Sequence, residues 1–331
     1  MQIMIRSILL LATMLLTGGI AYASCGSAVC SFNTNWNELG NTEPGWMLDM
    51  RYSYSKSDVL RSGTKKIVAD PTAPANAGAE VENRRTINQI VTATLDYNHD
   101  MHWGVTLQLP YVMRNHTHSI GDPNPALVGF ESFDAKSVGD IKLIGRYRWN
   151  LDTAVGSSLG VRLGFKLNTG KKDFVIQQTG LLPGEMALQP GNGSTDAIVG
   201  AFWSLSAPGS AWNWFAQGSY QSSIRHDALF KPGDQTTVDL GMRYDLSMGW
   251  RALLQLDGQW LGKDSGTAAA LTPSGAASSG GRFYSITPGV TYDVTYETRL
   301  YLLAQLPFYQ YVNGEQLTPR QSYTAGISYR F

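Results

Sequence analysis

The residues in this sequence that are best suited to chemistry are charged side chains spaced two positions apart. Asp140, Lys142, Arg146 and Arg148, for example, alternate with Ile141, Leu143, Tyr147 and Trp149. Successive side chains of a β-strand point to opposite faces, so these charges share one face of a strand. The same pattern elsewhere predicts a polar interior whose lining candidates are Arg51, Arg114, Asp140, Lys142, Arg146, Arg148, Arg162, Lys166, Asp196, Asp239, Arg243, Arg251, Asp257 and Arg299.

Two interpretations of this charged lining remain open. Charges enclosed in a medium of low dielectric constant need partners or water. The lining is therefore either a mutually neutralising network that braces the wall, or the border of a polar path for a small solute. The cluster of Arg146, Arg148, Arg162 and Lys166 favours the second interpretation, since it concentrates positive charge on neighbouring strands.

Catalytic and metal chemistry have weaker support. His116 and His118 would lie on one face of a strand as a metal pair, but the sequence offers no evident third ligand. His226 beside Asp227, or a Ser/His pair, would serve a surface hydrolase, yet neither spacing differs from that of ordinary loop residues. We therefore predict no catalytic residues, no metal ligands and no cofactor.

Composition narrows the class of protein. The 331 residues include 26 Lys plus Arg and 26 Asp plus Glu, so no net charge favours nucleic acid. Charged residues make up only 16%, while Gly numbers 35, Tyr 16 and Trp 9. These features are typical of turn-rich β structure, either an outer-membrane barrel or an aromatic-rich secreted sandwich or lectin.

The alternating segments predict the elements that position the charges. About twelve strands (ten to fourteen possible) run from Trp46–Tyr54 to Ser322–Phe331, each near the roughly 9–11 residues of a tilted membrane strand. Short turns alternate with long loops, of which the main ones are Ser55–Arg84, His116–Ser137 and Gly170–Ser194. Pro110, Pro288 and Pro307 interrupt strands and predict bulges or strand ends.

One face of every predicted strand is uncharged, which a soluble sandwich would not require. Trp103, Trp149, Trp212, Trp214 and Trp250 lie beside the short turns, where an aromatic girdle belongs. The pattern therefore predicts an all-β transmembrane antiparallel barrel over residues 46–331. An even strand number places both termini on the periplasmic side.

The last strand, Ser322–Phe331, alternates aromatic and small residues and ends the sequence on Phe331. It resembles the closing strand of bacterial outer-membrane barrels, where the terminal aromatic residue is a signal for the assembly machinery. The resemblance implies two partners, the lipid bilayer and that machinery, and localisation in the outer membrane of a Gram-negative bacterium.

The N-terminus has the pattern of an export signal. Arg6, the apolar run Ile8–Leu16 and Ala21-Tyr22-Ala23 predict a signal peptide over residues 1–23, followed by a periplasmic segment over 24–45. Cys25 and Cys30 most simply form a short disulfide in the oxidising periplasm, with lipidation of Cys25 as the alternative. No later run of 18 apolar residues predicts a transmembrane helix.

Several motifs resemble the outer-membrane protein family named for the meta-pathway of phenol degradation. They lie at Cys25–Trp36, Val105–Asn115, Ser137–Arg148, Lys166–Lys171 and Leu188–Asp196. The resemblance implies a passive channel for small aromatic or hydrophobic solutes, gated by outer loops such as Gly170–Ser194. The alternative is a plugged barrel that anchors or ensheathes another exported protein. The sequence does not name the solute.

Overall fold

The fold was examined in a computed structural model, which describes residues 43–73, 80–178, 180, 184–266 and 278–331. The predicted signal peptide, Cys25, Cys30 and nearly all of the predicted periplasmic segment lie outside these residues. The described chain contains β-strands and short 3-10 turns. No helix within the described ranges is long and apolar enough to span a membrane.

Thirteen strands form one antiparallel sheet. Two of them, β2 and β5, lie off the main ring, which leaves eleven segments in it. The strands are β1 (Gly45–Gly63), β2 (Lys65–Lys66), β3 (Glu80–Asn98), β4 (Trp103–Ile120), β5 (Gly129–Val138), β6 (Lys142–Asp152), β7 (Ser157–Lys166), β8 (Thr195–Leu205), β9 (Trp212–Arg225), β10 (Gln235–Ser247), β11 (Trp250–Leu261), β12 (Gly281–Asp293) and β13 (Thr298–Arg330).

The sheet closes into a barrel because β1 pairs with β13 along its length, from Met47↔Arg330 to Gly63↔Val312. Backbone hydrogen bonds of 3.2 and 3.0 Å between Trp46 and Phe331 complete the closure. The first half of β13 pairs with β12 and its second half with β1, so this 33-residue run doubles back near Gly314, whose φ is +60°. The two halves of β13 therefore act as two separate strands of the barrel wall.

Long strands replace much of two predicted loops. β1 continues to Gly63 and β3 begins at Glu80, so only part of Ser55–Arg84 is irregular. The predicted loop His116–Ser137 instead contains the end of β4 and most of β5. A hairpin ladder continues for as long as each strand edge finds a partner, and sequence alternation alone did not reveal that these polar extensions pair.

Pro110 and Pro307 lie where the ladder changes, as predicted, whereas Pro288 pairs with Leu254 without a register shift. β4 pairs with β6 from Trp103 to Gln108 and with β5 from Tyr111 to Ile120, so its partner changes around Pro110. The β12–β13 register shifts immediately beside Ser285↔Pro307. Proline lacks a backbone N–H, and at Pro110 and Pro307 the ladder changes beside the missing donor.

The two faces of the wall differ in chemistry. Large apolar side chains such as Leu107, Leu163 and Leu302 are exposed on the outward face. Ring pairs follow the short-turn end of this face, including Trp46–Tyr97, Trp103–Tyr147 and Trp250–Tyr292 at 4.6 Å each. The inward face alternates with it, and its side chains are mostly buried and polar.

Candidate functional site

The polar interior of the barrel is the candidate site, and the predicted lining residues that lie in strands alternate with the exposed apolar side chains of the outward face. Burial alternates along each strand in phase with these residues: Arg146, Arg148, Arg162, Lys166, Asp196 and Asp239 are buried, while their neighbours in sequence are more exposed. Arg51, Lys142, Arg243, Arg251, Asp257 and Arg299 are half-buried. The interior brings these charges together in several separate groups.

Arg146 and Asp96 form the tightest group, on β6 and β3. Arg146 Nη1 and Nη2 donate to the two carboxylate oxygens of Asp96 at 2.5 and 2.9 Å, and Nη2 also donates to Asn98. Thr106 Oγ1 donates to Asp96 at 2.6 Å. This bidentate geometry fixes both side chains against the wall, so the pair acts as a brace.

Lys166 is the centre of a second group between β7 and β8. Its ammonium lies 3.2 Å from Asp140 and 3.2 Å from Asp196, and it donates to Ser194 Oγ at 2.9 Å. Asp140 also accepts the backbone N–H groups of Gly170 and Asn192, at 2.9 and 3.3 Å. The group therefore holds both ends of the long loop between β7 and β8 at the wall.

Arg148 and Arg162 lie against the ring of Phe202, with guanidinium carbons 5.5 and 4.8 Å from its centroid. Arg162 Nη1 donates to Gln217 at 2.9 Å, and Gln217 in turn donates to Asp239 at 3.1 Å. Positive charge from β7 is thus connected through an amide to an acid on β10.

An apolar cluster fills part of the interior near the short-turn end. Phe202, Phe215, Leu253, Tyr301 and Leu303 are all under 9% exposed and pack together from β8, β9, β11 and β13. Contact between strands that are not neighbours requires that these side chains point inward. The cluster narrows the interior at this level.

The acidic side of the interior lies on β10 and β11, where Asp239 and Asp257 are cross-strand partners. They line a cavity together with Gln259, Gln305 and Gln310. Thr287 Oγ1 donates to Asp257 at 2.5 Å. Carboxylate, amide and hydroxyl groups in one cavity can bind a solute that donates and accepts hydrogen bonds.

Arg251 and Arg299 lie nearer the short-turn end. Arg251 Nε lies 2.9 Å from Asp245, its Nη1 pairs with Asp293, and Arg299 Nε lies 2.7 Å from the same Asp293. Arg51 lies 3.8 Å from Asp49. The side chains of Arg251, Arg299 and Asp293 are 22%, 26% and 23% exposed, so solvent screens these pairs more than the buried pair of Arg146 and Asp96.

The loop between β7 and β8 folds inward at the long-loop end. Leu188 is 1% exposed and packs on Phe133 and Ala135, on the inward face of β5. Arg114 Nη1 donates to the carbonyl oxygen of Ala187 at 3.2 Å. The inner part of this loop is therefore attached to the wall both by packing and by a lining arginine.

Lys142, like Arg243, differs from the other lining cations. It projects inward between Gln108 and Lys166, but no side-chain hydrogen bond or salt bridge is found for it within the described ranges. Lys166 beside it takes the carboxylates of Asp140 and Asp196. No carboxylate in the described ranges therefore pairs directly with the charge of Lys142.

Sequence reasoning missed the group around Asp49. Tyr301 Oη donates to both carboxylate oxygens of Asp49, at 3.0 and 2.9 Å, and Ser328 Oγ donates at 2.9 Å. Tyr301 lies at an inward position in a strand whose inward residues are otherwise small, polar or aliphatic. The sequence pattern that could have predicted this contact is the position of Tyr301 between Leu300 and Leu302, since adjacent side chains of a strand lie on opposite faces.

The structure brings to His116 and His118 a third potential ligand that was not evident in the sequence. Glu80, the first residue of β3, lies in the same buried group, and the three potential ligand atoms are within 4.8 Å of one another. The sequence did not reveal this because Glu80 is far from the two histidines in the chain and because it falls in a segment predicted as a loop.

One short turn contains a carboxylate with a shifted pKa. The backbone N–H groups of Trp103 and His102 each donate to Asp100 at 2.7 Å, and these bonds hold the pKa of the exposed Asp100 carboxyl below its usual range. Its contribution to stability is present above the unfolded pKa of Asp and is lost as pH falls through the lowered folded pKa. The turn is therefore tightest near neutral pH.

Several outer-membrane proteins of known structure are similar to this chain in fold. An outer membrane channel from Pseudomonas putida F1 superposes with a TM-score of 0.62 at 15% identity, covering 88% of this chain and 98% of that one. The NanC porin gives a TM-score of 0.45 at 10% identity, covering 86% and 100% of the two chains. The CymD monoaromatic hydrocarbon channel gives 0.42 at 10% identity, covering 92% and 94%.

No protein-family model matches the sequence, and no curated protein matches it. The resemblance to the phenol-pathway family therefore stays an interpretation of short motifs. The likeness to the Pseudomonas channel at 15% identity establishes a shared fold. The chain thus has the fold of an outer-membrane channel barrel.

Proposed function

We propose that this protein is a passive outer-membrane channel for small polar solutes. The observation that supports this most directly is a closed antiparallel wall with apolar side chains outward and polar side chains inward. A closed barrel leaves no unpaired edge in lipid. Its interior offers water and a hydrogen-bonding solute a surface that the bilayer does not.

The outward face fits a lipid environment. Its exposed columns carry residues such as Leu107, Leu163 and Leu240, with the Trp and Tyr pairs forming a girdle at the short-turn end. In this proposal residues 1–23 direct export, 24–45 lie in the periplasm and 46–331 form the barrel. The assembly machinery recognises the last strand through Phe331, and no enzyme activity is proposed.

The polar lining favours hydrophilic solutes over the aromatic or hydrophobic ones that the family resemblance implies. A solute passing Lys142 on one side and the carboxylates of Asp239 and Asp257 on another must replace their hydration. Hydroxyl, amide or charged groups can do so, whereas a hydrocarbon cannot. The apolar cluster around Phe202 and Phe215 gives the path a narrow section rather than a hydrophobic lining.

The inward part of the loop between β7 and β8 is the proposed gate. It lies at the opposite end from the apolar cluster, and it is attached by Leu188 and Arg114. Release of these contacts would widen the entrance without breaking a strand pair.

Planar-bilayer recording of the refolded protein tests the channel. We expect stepwise conductance in KCl and, in liposome swelling, faster entry of small sugars or amino acids than of similarly sized apolar-substituted analogues. Boiled protein is the control. Folded protein that inserts yet gives neither conductance nor swelling would refute the proposal.

A plugged barrel is the second candidate, because most lining charges are already paired and the apolar cluster packs across the interior. Such a barrel would anchor or ensheathe a partner. It predicts insertion without conductance, together with a co-purifying exported protein that is lost when residues 33–45 are deleted.

A further inference from the structure

The long-loop end of β3, β4 and β5 contains a compact group of nitrogen and carboxylate ligands that the channel does not use. Its members are Glu80, His116 and His118, and they are 8%, 1% and 5% exposed. His116 and His118 are two positions apart on β4 and therefore share its inward face. The register shift between Val81 and Arg85 brings Glu80 to the same place from β3.

Three potential ligand atoms converge in this group. His116 Nε2 lies 2.9 Å from His118 Nδ1, and His118 Nδ1 lies 2.7 Å from Glu80 Oε1. In a neutral ring the single N–H at His118 Nδ1 can be aimed at only one of these two acceptors. A cation between the three atoms would satisfy all of them at once.

The surroundings resemble the outer partners of metal sites. Thr86 Oγ1 lies 2.9 Å from the other nitrogen of His116, Nδ1, where it can accept a hydrogen bond from Nδ1–H, the tautomer in which Nε2 carries no proton and can bind a metal. Glu131 Oε2 lies 3.4 Å from the far nitrogen of His118, Nε2, which is buried and forms no hydrogen bond. Carboxylate-to-histidine contacts of this kind orient ligands and raise their basicity.

The geometry points to a binding site for a divalent transition metal of the Zn²⁺ class, with Glu80 Oε1, His116 Nε2 and His118 Nδ1 as ligands. Two imidazoles and one carboxylate are a donor set that zinc accepts, with a fourth position open. With zinc–nitrogen bonds of about 2.0–2.1 Å, tetrahedral ligands lie about 3.3 Å apart, so the contacts of 2.9 and 2.7 Å at His118 Nδ1 need to open by about 0.5 Å.

The charge of the site and its position in the barrel indicate a structural role for the metal. Glu80 and Glu131 bring two negative charges to a buried place, and a divalent cation compensates both. The ligands come from β3 and β4, and Glu131 from β5 supports one of them. The metal would therefore join three strands beyond the apolar belt, two residues from the Arg114 that attaches the inward loop. This inference does not depend on the channel function.

Calorimetric titration of the metal-free full chain in detergent micelles with ZnCl₂ tests the site. We expect one Zn²⁺ per chain, no comparable binding of Mg²⁺ or Ca²⁺, and visible Co²⁺ absorption bands of the intensity typical of four-coordinate sites. Because Cys25 and Cys30 can also bind zinc, the titration is repeated with both changed to Ser. The expected result is unchanged in that background.

Substitutions assign the ligands. Glu131→Gln should weaken binding about 10–100-fold, as for an outer partner, and His118→Ala or Glu80→Gln should weaken it more. His226→Ala, in an exposed loop, should leave it unchanged. A heat-dependent mobility shift in gels confirms that each variant folds, and His118→Gln replaces the alanine variant if it does not.

Two results would overturn the inference. One is the absence of stoichiometric Zn²⁺ binding once both cysteines are removed, which would assign any earlier binding to them. The other is binding that persists at full affinity in His116→Ala and in His118→Ala.

Discussion

At the scale of single residues, the interior is shaped by glycines that face large side chains across the ladder. Gly160 pairs with Phe202, Gly241 with Phe215, and Gly104 with Arg146. A Cβ atom at Gly241 would lie 2.1 Å from the ring of Phe215. Each large side chain therefore lies over its glycine, at the place where a Cβ atom would collide with it.

The pair Gly241 and Phe215 allows a specific test. The Gly241→Ala methyl group displaces the Phe215 ring from its position over the backbone. We expect this overpacking to lower the free energy of unfolding by about 1–3 kcal/mol. In a Phe215→Ala background the same change should cost almost nothing, because the ring is gone. Urea unfolding in micelles measures both effects.

Gly218→Ala is the matched control, since a Cβ there meets its nearest atom at 3.5 Å. An equal cost of Gly241→Ala in both backgrounds would show that the glycine is needed for its backbone and not for the ring above it.

Lys142 is the residue at which ion selectivity should change. Lys142→Glu replaces an unpaired inward cation with an anion, so the reversal potential in a KCl gradient should move towards cation selectivity. Lys65→Glu, at an exposed site in β2, makes the same change in net charge outside the barrel. A reversal potential that responds equally to both variants would show that Lys142 does not border the conduction path.

At the scale of elements, the loop between β7 and β8 combines two roles. Its ends are fixed by Asp140 and Lys166, whereas its middle part is attached by Leu188 to β5. The fixed ends allow the middle part to move without loss of strand pairing.

Leu188→Ala should detach that middle part. Loss of the buried side chain removes its packing on Phe133, worth about 2–5 kcal/mol locally, while the strand ladder stays intact. We expect larger or more frequent conductance steps with an unchanged urea midpoint. Leu229→Ala, at a loop residue that is 56% exposed, is the control. Unaltered conductance for Leu188→Ala would mean that this loop does not limit flow.

The strands were predictable where one face contacts lipid and the other the interior, because that contrast produces a two-residue period. The apolar side chains of Leu107, Leu109 and Tyr111, two positions apart, predicted β4 in this way. The extensions beyond the belt were not predictable, since both faces of residues 55–63 and 114–120 are polar. The group around Glu80 and His118 was missed for this reason.

At the scale of the whole molecule, the outward surface decides between a membrane barrel and a soluble one. Leu163 on β7 and Leu127 in a loop are similarly exposed, at 64% and 66%. In water, arginine would be tolerated at either position. In a bilayer, an arginine near mid-membrane costs about 2–4 kcal/mol, but one in an outer loop costs little.

We therefore expect Leu163→Arg to lower the free energy of unfolding in liposomes by about 2–4 kcal/mol and Leu127→Arg to leave it nearly unchanged. Folding into lipid vesicles, followed by urea titration, measures the difference. Equal effects of the two variants would contradict insertion of β7 in the membrane.

The sequence by itself determined that the chain forms β-strands and which side chains share one face of each strand. Alternation predicted that the lining residues from Arg51 to Arg299 lie on the inward side, because side chains on a regular strand have a period of two. The chemistry of the closing strand, with Tyr329 and Phe331 outward and Ser328 inward, followed from the same rule.

Only the tertiary structure decided which charges meet. Asp96 with Arg146, Asp49 with Tyr301, and Glu80 with His118 are each brought together by strand register and by barrel closure. These are set by the pairing of whole strands, to which each residue contributes little, so local sequence does not encode them. The charged columns were therefore visible in the sequence, but their division into braces, an available lysine and a candidate metal site was not.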